Sequence, residues 1–113
     1  MAHQQYQSCI DACSRCAQEC KHCANACLDE PDVKMMIECI RLDRDCAAIC
    51  WTAVSFMSCG SSFASEICRL CAEICDACAE ECAKHEQDHC QRCAEACRGC
   101  AEECRHMAGA ATV

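Results

Sequence analysis

Cysteine recurs along this chain at alternating intervals of three and four residues. The three uninterrupted runs are Cys9, Cys13, Cys16, Cys20, Cys23 and Cys27, then Cys68, Cys71, Cys75, Cys78 and Cys82, and finally Cys90, Cys93, Cys97, Cys100 and Cys104. Because these intervals match the period of an α-helix, each run places its thiols in one stripe along a helix. Leu or Ile normally occupy such a stripe and form the core. The sequence therefore predicts helices that bury thiols in place of aliphatic side chains.

The rest of the sequence favours an all-α fold. Three glycines and one proline interrupt 113 residues, and the abundant Ala, Glu, Gln and Arg are good helix formers. Helices are expected over about residues 5–28, 32–57, 62–85 and 88–107, separated by a proline turn, a Gly-Ser loop and a third turn without Gly or Pro. Four helices with such short connections form an antiparallel up-down-up-down four-helix bundle with a cysteine-lined core, in a single domain spanning residues 1–113.

The third turn is inferred from a slip in the cysteine register. Continuing the interval from Cys82 leads to His85 and His89, whereas the next cysteine is Cys90. A slip of one residue is expected where one helix ends and another begins. The fourth helix is therefore predicted to start near Asp88.

Side-chain caps are expected at three helix starts. Asp32 and the serines of the Gly-Ser loop can cap the second and third helices. Asp88 and Gln91 have the spacing of a capping box at the start of the fourth helix.

The chain contains an internal repeat. The segments from Cys68 to Cys82 and from Cys90 to Cys104 have the same cysteine intervals, and Cys13 to Cys27 keeps them. The second helix is the divergent copy, because its stripe mixes thiols with other side chains: Met35, Cys39, Asp43, Cys46, Cys50, Ala53 and Met57. Duplication of a helical metal-binding unit explains this arrangement.

Three roles are open to a buried stripe of cysteines. Cysteine can act as a small hydrophobe, but Ala or Val would pack as well without the risk of oxidation. Disulfides are a second role, yet Cβ atoms at i and i+4 of a helix lie about 5–6 Å apart, beyond the ~3.8 Å that a disulfide prefers. Bridges between helices stay geometrically feasible. Metal binding explains the stripe best, since thiolates at i and i+4 can swing together and hold one soft ion between them.

Coordination and charge both favour Cu(I) over zinc. Cu(I) is soft and accepts two or three thiolates, whereas zinc requires four ligands in a tetrahedron. Replacing each thiol proton by Cu⁺ leaves the core neutral, but each Zn(Cys)₄ centre carries two negative charges, and buried unpaired charge is costly. Bridged zinc clusters reduce that penalty, so a metallothionein-like zinc or cadmium buffer remains the alternative. With 20 cysteines the capacity is on the order of twenty ions, which suits storage rather than sensing.

Charge and composition exclude several other functions. The net charge of −8 argues against a nucleic-acid partner, and no stretch approaches the ~18 apolar residues of a membrane span. The N-terminus keeps Met1 and lacks the basic and apolar regions of a secretory signal. We therefore expect a cytoplasmic protein, whose thiols stay reduced. No cysteine stands apart with its own base, so we expect no enzymatic activity.

Several features together carry a family resemblance: the cysteine stripes, the segment CIRLDRDCAAIC from Cys39 to Cys50, and the stretches CAEIC, CAEEC and KHEQDHCQRC. With these features the sequence resembles the bacterial four-helix-bundle copper storage proteins, in their cytosolic branch. The resemblance covers nearly the whole chain. It implies that thiolates hold many Cu(I) ions inside each bundle, without enzymatic turnover, and that the chain assembles as a homotetramer. The stored copper would be sequestered for detoxification, for supply to copper enzymes, or for both. A copper chaperone is a candidate partner.

All twenty cysteines are candidate Cu(I) ligands. Besides the three runs they comprise Cys39, Cys46, Cys50 and Cys59, of which Cys59 sits in the Gly-Ser loop outside the stripes. The other candidate metal ligands are Met35, Asp43, His85 and His89. An acidic residue on a core stripe needs a metal or a partner, and a salt bridge from Asp43 to Arg41 or Arg44 is an equal alternative.

One end of the predicted bundle concentrates donors other than thiolate. It gathers Cys27, Met35, Met36, Cys39, Cys82, His85, His89 and Cys90, whereas the opposite end holds Met57, Cys59, Cys104, His106 and Met107. Thioethers and imidazoles bind Cu(I) more weakly than thiolates and suit the passage of ions inward. We therefore expect the first end, the mouth of the bundle, to admit copper.

Two helices carry a second, apolar stripe beside the thiols. These stripes are Val33, Ile37, Ile40, Ala47, Trp51 and Val54 on the second helix, and Phe63, Ile67, Leu70, Ile74 and Ala77 on the third. They can close the seam between neighbouring helices or form a subunit interface. For an interface, Trp51 is the residue that we expect to contribute most.

Overall fold

The computed structural model describes residues 6–111, which form four long helices. These are α1 (Gln7–Cys27), α2 (Ile37–Ser58), α3 (Ala64–Ala83) and α4 (Asp88–Ala111), with a single 3₁₀ turn at Val33–Met36 before α2. The described residues contain no strand. The start predicted for the first helix, at residue 5, lies outside the described residues. The predicted all-α class is confirmed.

The helices pack in the ring order α1, α2, α3, α4, so each contacts its two neighbours in sequence or the opposite end of the chain. Facing thiols show that neighbours are antiparallel. On α1 and α4, Cys13 lies 3.5 Å from Cys104 and Cys23 lies 3.8 Å from Cys90, measured between sulfurs. The bundle measures 47 × 18 × 17 Å. It is the predicted up-down-up-down arrangement.

The interior of the bundle is built from sulfur and alanine. Nineteen of the twenty cysteines are buried, and alanines such as Ala17, Ala47 and Ala101 fill the space between them. Larger apolar side chains lie at the margins, where Met36 and Met57 are buried near the two ends. Because small residues alternate along the inward face, the four helices approach closely and the thiols of all four meet on the axis.

The helix ends differ from the expected caps. Tyr6, Met36 and Phe63 precede α1, α2 and α3, and none makes a side-chain capping bond. Asp32 precedes the 3₁₀ turn, also without a capping bond. Ser61 instead accepts a hydrogen bond from the Phe63 amide at 3.0 Å inside its own loop. The side-chain caps predicted at α2 and α3 are therefore wrong.

The capping box predicted for Asp88 and Gln91 at the start of α4 is also wrong, because both side chains bind other partners. The Asp88 carboxylate lies 3.5 Å from the Arg92 guanidinium. The Gln91 amide donates to the carbonyls of His85 at 2.6 Å and Ala83 at 3.4 Å. Gln91 thus satisfies carbonyls at the end of α3, where helical hydrogen bonding stops, and ties α4 to the preceding turn.

Because Met57 is buried in the core, we expect its apolar packing to stabilise the bundle in the absence of metal. Met57 is fully buried, whereas Met35 is 66% exposed. We expect Met57→Ala to lower the free energy of unfolding by about 2–5 kcal/mol and Met35→Ala to change it by less than about 0.5 kcal/mol. Circular dichroism melts of reduced, chelator-treated protein measure both. A metal-free wild-type chain without helical signal would contradict a preformed bundle.

Candidate metal centre

Sulfurs one helical turn apart lie within reach of a common metal ion. The i,i+4 pairs Cys16–Cys20, Cys23–Cys27, Cys71–Cys75, Cys78–Cys82, Cys93–Cys97 and Cys100–Cys104 have sulfur–sulfur distances of 3.8 to 4.0 Å. With metal–sulfur bonds of roughly 2.3 Å, two sulfurs on one ion lie about 4.6 Å apart in linear coordination and about 4.0 Å apart in trigonal coordination. The observed distances are closer to the trigonal case.

Thiols from different helices approach even more closely. Cys46 lies 3.4 Å from Cys75, and Cys39 lies 3.4 Å from Cys82, between sulfurs. Quartets whose sulfurs all lie within 4.8 Å of one another include Cys13, Cys71, Cys100 and Cys104, then Cys16, Cys46, Cys50 and Cys75, then Cys20, Cys78, Cys93 and Cys97, and Cys23, Cys27, Cys39 and Cys90. A further quartet consists of Cys16, Cys20, Cys46 and Cys97. It has two members in common with each of two of the quartets above. The thiols therefore form one continuous column rather than separate sites.

Asp43 lies inside this thiol column. The thiols of Cys78 and Cys93 each donate to its Oδ1 atom at 3.2 Å, and Cys82 donates to the same oxygen at 3.5 Å. Burial, followed by repulsion from neighbouring cysteines, raises the pKa of Asp43 to about 11. At neutral pH the carboxyl group is therefore protonated, and the metal-free interior carries no charge at this position.

The alternative of a salt bridge for Asp43 is wrong. Arg41 points to the surface, where its guanidinium lies 3.7 Å from the Glu38 carboxylate, and Arg44 is exposed. Asp43 has no exposed surface, and its polar partners are thiols. Asp43 therefore lies among the candidate ligands and forms no ion pair with any described residue.

At the mouth, His89 joins the surface to the outermost thiols. Its Nδ1 atom lies 3.4 Å from the sulfur of Cys23, 3.5 Å from that of Cys90 and 4.0 Å from that of Cys27. Its Nε2 atom lies 2.9 Å from an oxygen of Glu30. The imidazole thus faces thiols on one side and a carboxylate on the other.

His85 is buried at the same end, near the end of α3. Its Nε2 atom lies 3.0 Å from an oxygen of Glu81, one turn earlier on the chain. His85 also lines a cavity of about 400 Å³ between the two loops at the mouth, together with Met36 and Glu30. The structure brings both predicted histidines to the mouth, and it gives each a carboxylate partner.

Two candidates lie outside the thiol column. Met35 is exposed, and the neighbouring Met36 is buried in its place. The 3₁₀ turn at Val33–Met36 explains the difference, because a 3₁₀ turn has about three residues per turn and places the residue at i−3, not i−4, in line with Cys39. Cys59 is exposed in the α2–α3 loop, where its thiol lies 3.5 Å from the carbonyl of Phe56.

Two residues of the mouth, Glu81 and Glu30, were not found from the sequence. Glu81 lies four residues before His85, a spacing that predicts contact on a helix. Met36 was placed at the mouth from the sequence, and its burial in place of Met35 would follow from a 3₁₀ turn after Pro31. Glu30 gives no local signal, because 59 residues separate it from His89.

Two thiols at the mouth, Cys27 and Cys90, have pKa values that favour their neutral form. Burial raises the pKa of Cys27 above its ordinary range, with a further contribution from repulsion by Cys39. The same two causes raise the pKa of Cys90 to about 12. Since metals bind the thiolate, an ion that binds Cys27 or Cys90 must displace a proton.

Comparison with known proteins identifies the family. The family model for copper storage proteins matches residues 2–109. The chain belongs to the copper storage protein family. The predicted resemblance is therefore confirmed over nearly the whole sequence.

Individual proteins are also similar to this chain. The uncharacterized cysteine-rich protein YhjQ of Bacillus subtilis is 54% identical over 87 residues, which cover 76% of this chain and 81% of the relative. The Cu(I)-bound copper storage protein BsCsp3 superposes with a TM-score of 0.87 at 54% identity, covering 90% of this chain and 96% of the other. An apo structure of Csp3 from Bacillus subtilis gives a TM-score of 0.84 at 53% identity, covering 90% and 97%.

Two structures of a copper storage protein from Streptomyces lividans contain different amounts of copper. The cytosolic protein with five coppers has a TM-score of 0.91 at 38% identity, covering 96% of this chain and 95% of the other. A form loaded with 10 copper equivalents has a TM-score of 0.90 at 39% identity, covering 94% and 85%. The same bundle therefore occurs in this family with and without copper.

The pKa of Asp43 predicts that the metal-free bundle loses stability as the pH rises. The carboxyl ionises near 3.8 in the unfolded chain, but its pKa is about 11 in the folded state. Between these values the folded state holds one extra proton, so the free energy of unfolding falls by at most about 1.4 kcal/mol per pH unit. Asp43→Asn removes this contribution.

Denaturant titrations between about pH 5 and pH 7 measure the slope. The groups that face Asp43 from the four helices are the thiols of Cys23, Cys39, Cys78, Cys82 and Cys93, and all are retained in the variant. Asp45→Asn, on the exposed side of α2, is the matched control and should keep the wild-type slope. Equal slopes in the wild type and Asp43→Asn would contradict a protonated Asp43.

Proposed function

We propose that this protein stores Cu(I) in the thiol column of its bundle. The observation that carries the proposal is the burial of nineteen free thiols with sulfurs at 3.4 to 4.0 Å, in quartets that share members. Such spacing is too wide for disulfides, whose sulfurs lie about 2.05 Å apart. It suits ions held by two or three thiolates each, and it offers many equivalent positions.

Electroneutrality supports a monovalent ion in this interior. The column contains no buried basic side chain, and its one carboxyl, Asp43, is held in the protonated form. Exchanging each thiol proton for Cu⁺ keeps the column neutral. Filling shared quartets with zinc would accumulate negative charge where nothing compensates it. The copper-bound relatives agree with this choice, and the zinc or cadmium buffer is not favoured.

The proposed ligands are the nineteen buried cysteines, with Asp43 and His89 as further donors. Copper would enter at the mouth, where His89 contacts three thiols and His85 and Met36 line the cavity outside them. Each ion then moves to deeper thiolates as the displaced protons leave to solvent. The bundle holds copper without chemical turnover, which limits free Cu(I) and keeps a supply for copper enzymes.

Anaerobic titration with Cu(I) against a chromophoric chelator tests the proposal. We expect binding to saturate at about one ion per buried thiolate, and Zn²⁺ to be displaced by Cu(I). Cys59→Ala should leave the capacity unchanged because Cys59 lies outside the column, whereas Cys46→Ala should lower it. Saturation at a handful of Cu(I) ions, or retention of tightly bound zinc against Cu(I), would exclude storage of copper.

We also propose a cytoplasmic location and a homotetramer, with a copper chaperone as a candidate partner. Reduced thiols require the cytosol or a similar compartment, and the relative from Streptomyces lividans is cytosolic. No helix within residues 6–111 has the length and apolar character to cross a membrane. Exposed apolar side chains on α2 and α3, Ile37, Trp51 and Leu70 among them, suit an interface between subunits.

The oligomer proposal predicts that a charge at Trp51 disrupts assembly. Trp51 is 42% exposed in the isolated chain, and burying an unpaired carboxylate at an interface is costly. Trp51→Glu should therefore elute as a smaller species in gel filtration. Leu28→Glu introduces the same charge at an exposed apolar residue after α1, and it should elute as the wild type does. An unchanged oligomer in Trp51→Glu would remove Trp51 from the interface.

A further inference from the structure

Glu30 occupies an unusual place at the mouth. It belongs to the loop between α1 and the 3₁₀ turn, and its amide donates to the Cys27 carbonyl at 3.2 Å, which fixes it to the end of α1. One carboxylate oxygen lies 2.9 Å from Nε2 of His89, and the other accepts from the Gln87 amide at 3.5 Å. Glu30 therefore connects the α1–α2 loop to the start of α4 across the mouth.

The contact between Glu30 and His89 is shielded from solvent. The side chains of His89 and Glu30 are 12% and 24% exposed, and Glu30 lines the outer cavity while His89 lies behind it against the thiols. A carboxylate accepts hydrogen bonds only. Glu30 therefore requires a proton on Nε2, which leaves the lone pair of a neutral imidazole on Nδ1, and Nδ1 is the atom that faces Cys23, Cys27 and Cys90.

We propose that Glu30 is a positioning residue that sets the tautomer and orientation of His89 for the passage of Cu(I). This inference rests on the proposed storage function. With Nε2 occupied by Glu30, Cu(I) binds Nδ1 and then exchanges that bond for bonds to the sulfurs of Cys23, Cys27 and Cys90. The thiol protons leave to solvent, and the copper stays monovalent throughout.

His85 provides an internal comparison. Its Nε2 atom contacts Glu81 from the same helix, and Glu81 also contacts the Lys84 ammonium at 3.3 Å. Glu30 reaches His89 from another part of the chain instead, so the Glu30 contact sets the imidazole relative to thiols on two helices. Loss of Glu30 is expected to change His89 and to leave His85 as it is.

Nitrogen-15 NMR of the histidine rings in the metal-free, reduced protein tests the placement without copper. At pH 8 we expect His89 of the wild type to be protonated at Nε2 and unprotonated at Nδ1. Glu30→Ala should shift the ring nitrogens of His89 toward averaged values, whereas Glu30→Gln, which retains an acceptor oxygen, should stay close to the wild type. The resonances of His85 should not move. A wild-type His89 with its proton on Nδ1, or on both nitrogens, would overturn the inference.

Stopped-flow transfer of Cu(I) from a chelator tests the consequence. Loss of a carboxylate behind a metal-binding histidine typically costs about 10–100-fold, and we expect transfer to Glu30→Ala to slow by that factor. Glu86→Ala removes the same charge from an exposed residue lining the same cavity, and its rate should equal that of the wild type. In a His89→Ala background, Glu30→Ala should have no further effect.

The outcomes separate this inference from the function on which it rests. A wild type that takes up no Cu(I) would exclude storage, whatever the NMR spectra show. A wild type that fills with copper while Glu30→Ala and Glu86→Ala slow transfer equally would show that only charge matters and would overturn the role of Glu30. An equal slowing by Glu30→Ala with and without His89 would overturn it as well.

Discussion

The distance between sulfurs in the bundle determines what this protein can do. Alternating intervals of three and four residues keep nineteen of the twenty thiols on the inward faces of the helices, and alanine between them lets the helices approach. The resulting separations of 3.4 to 4.0 Å exceed a disulfide bond but fall within the span of one thiolate-bound metal ion. A bundle with leucine on these stripes would be a more ordinary core, and it would hold no metal.

Burial and metal capacity work together through charge. A thiolate or carboxylate in a dry interior is unfavourable, and burial accordingly raises the pKa values of Cys27, Cys90 and Asp43 above their ordinary ranges. A monovalent ion that replaces a proton leaves this balance unchanged, ion after ion. A divalent ion with four thiolates would not. The preference for Cu(I) thus follows from the number of sites in the column. The negative charge of one tetrathiolate zinc centre is tolerable, but it accumulates when such centres repeat along a continuous column.

The interior could be predicted from the sequence, whereas parts of the mouth could not. Nineteen cysteines and Asp43 occupy the inward faces that the helical period assigns to them, because regular helices keep the register over their whole length. The register fails where helices end. At the 3₁₀ turn the buried methionine is Met36 rather than Met35, and at α4 the side chain of Gln91 binds the end of α3 instead of capping its own helix. These contacts depend on how the loops pack, and loop packing produces no periodic pattern of residues from which it could be predicted.

The two ends of the bundle differ in a way that gives the column a direction. At the far end, Met57 and Ala64 are buried beside Cys9, Cys68 and Cys104, so thiols meet apolar side chains there. At the mouth, the thiols meet the imidazole of His89, and the Nε2 atoms of His89 and His85 bind carboxylates. An ion leaving water must exchange its ligands one at a time, and intermediate donors lower the barrier only at the end where they stand between water and sulfur. This difference supports the proposed entry of copper at the mouth, while the apolar end contributes packing.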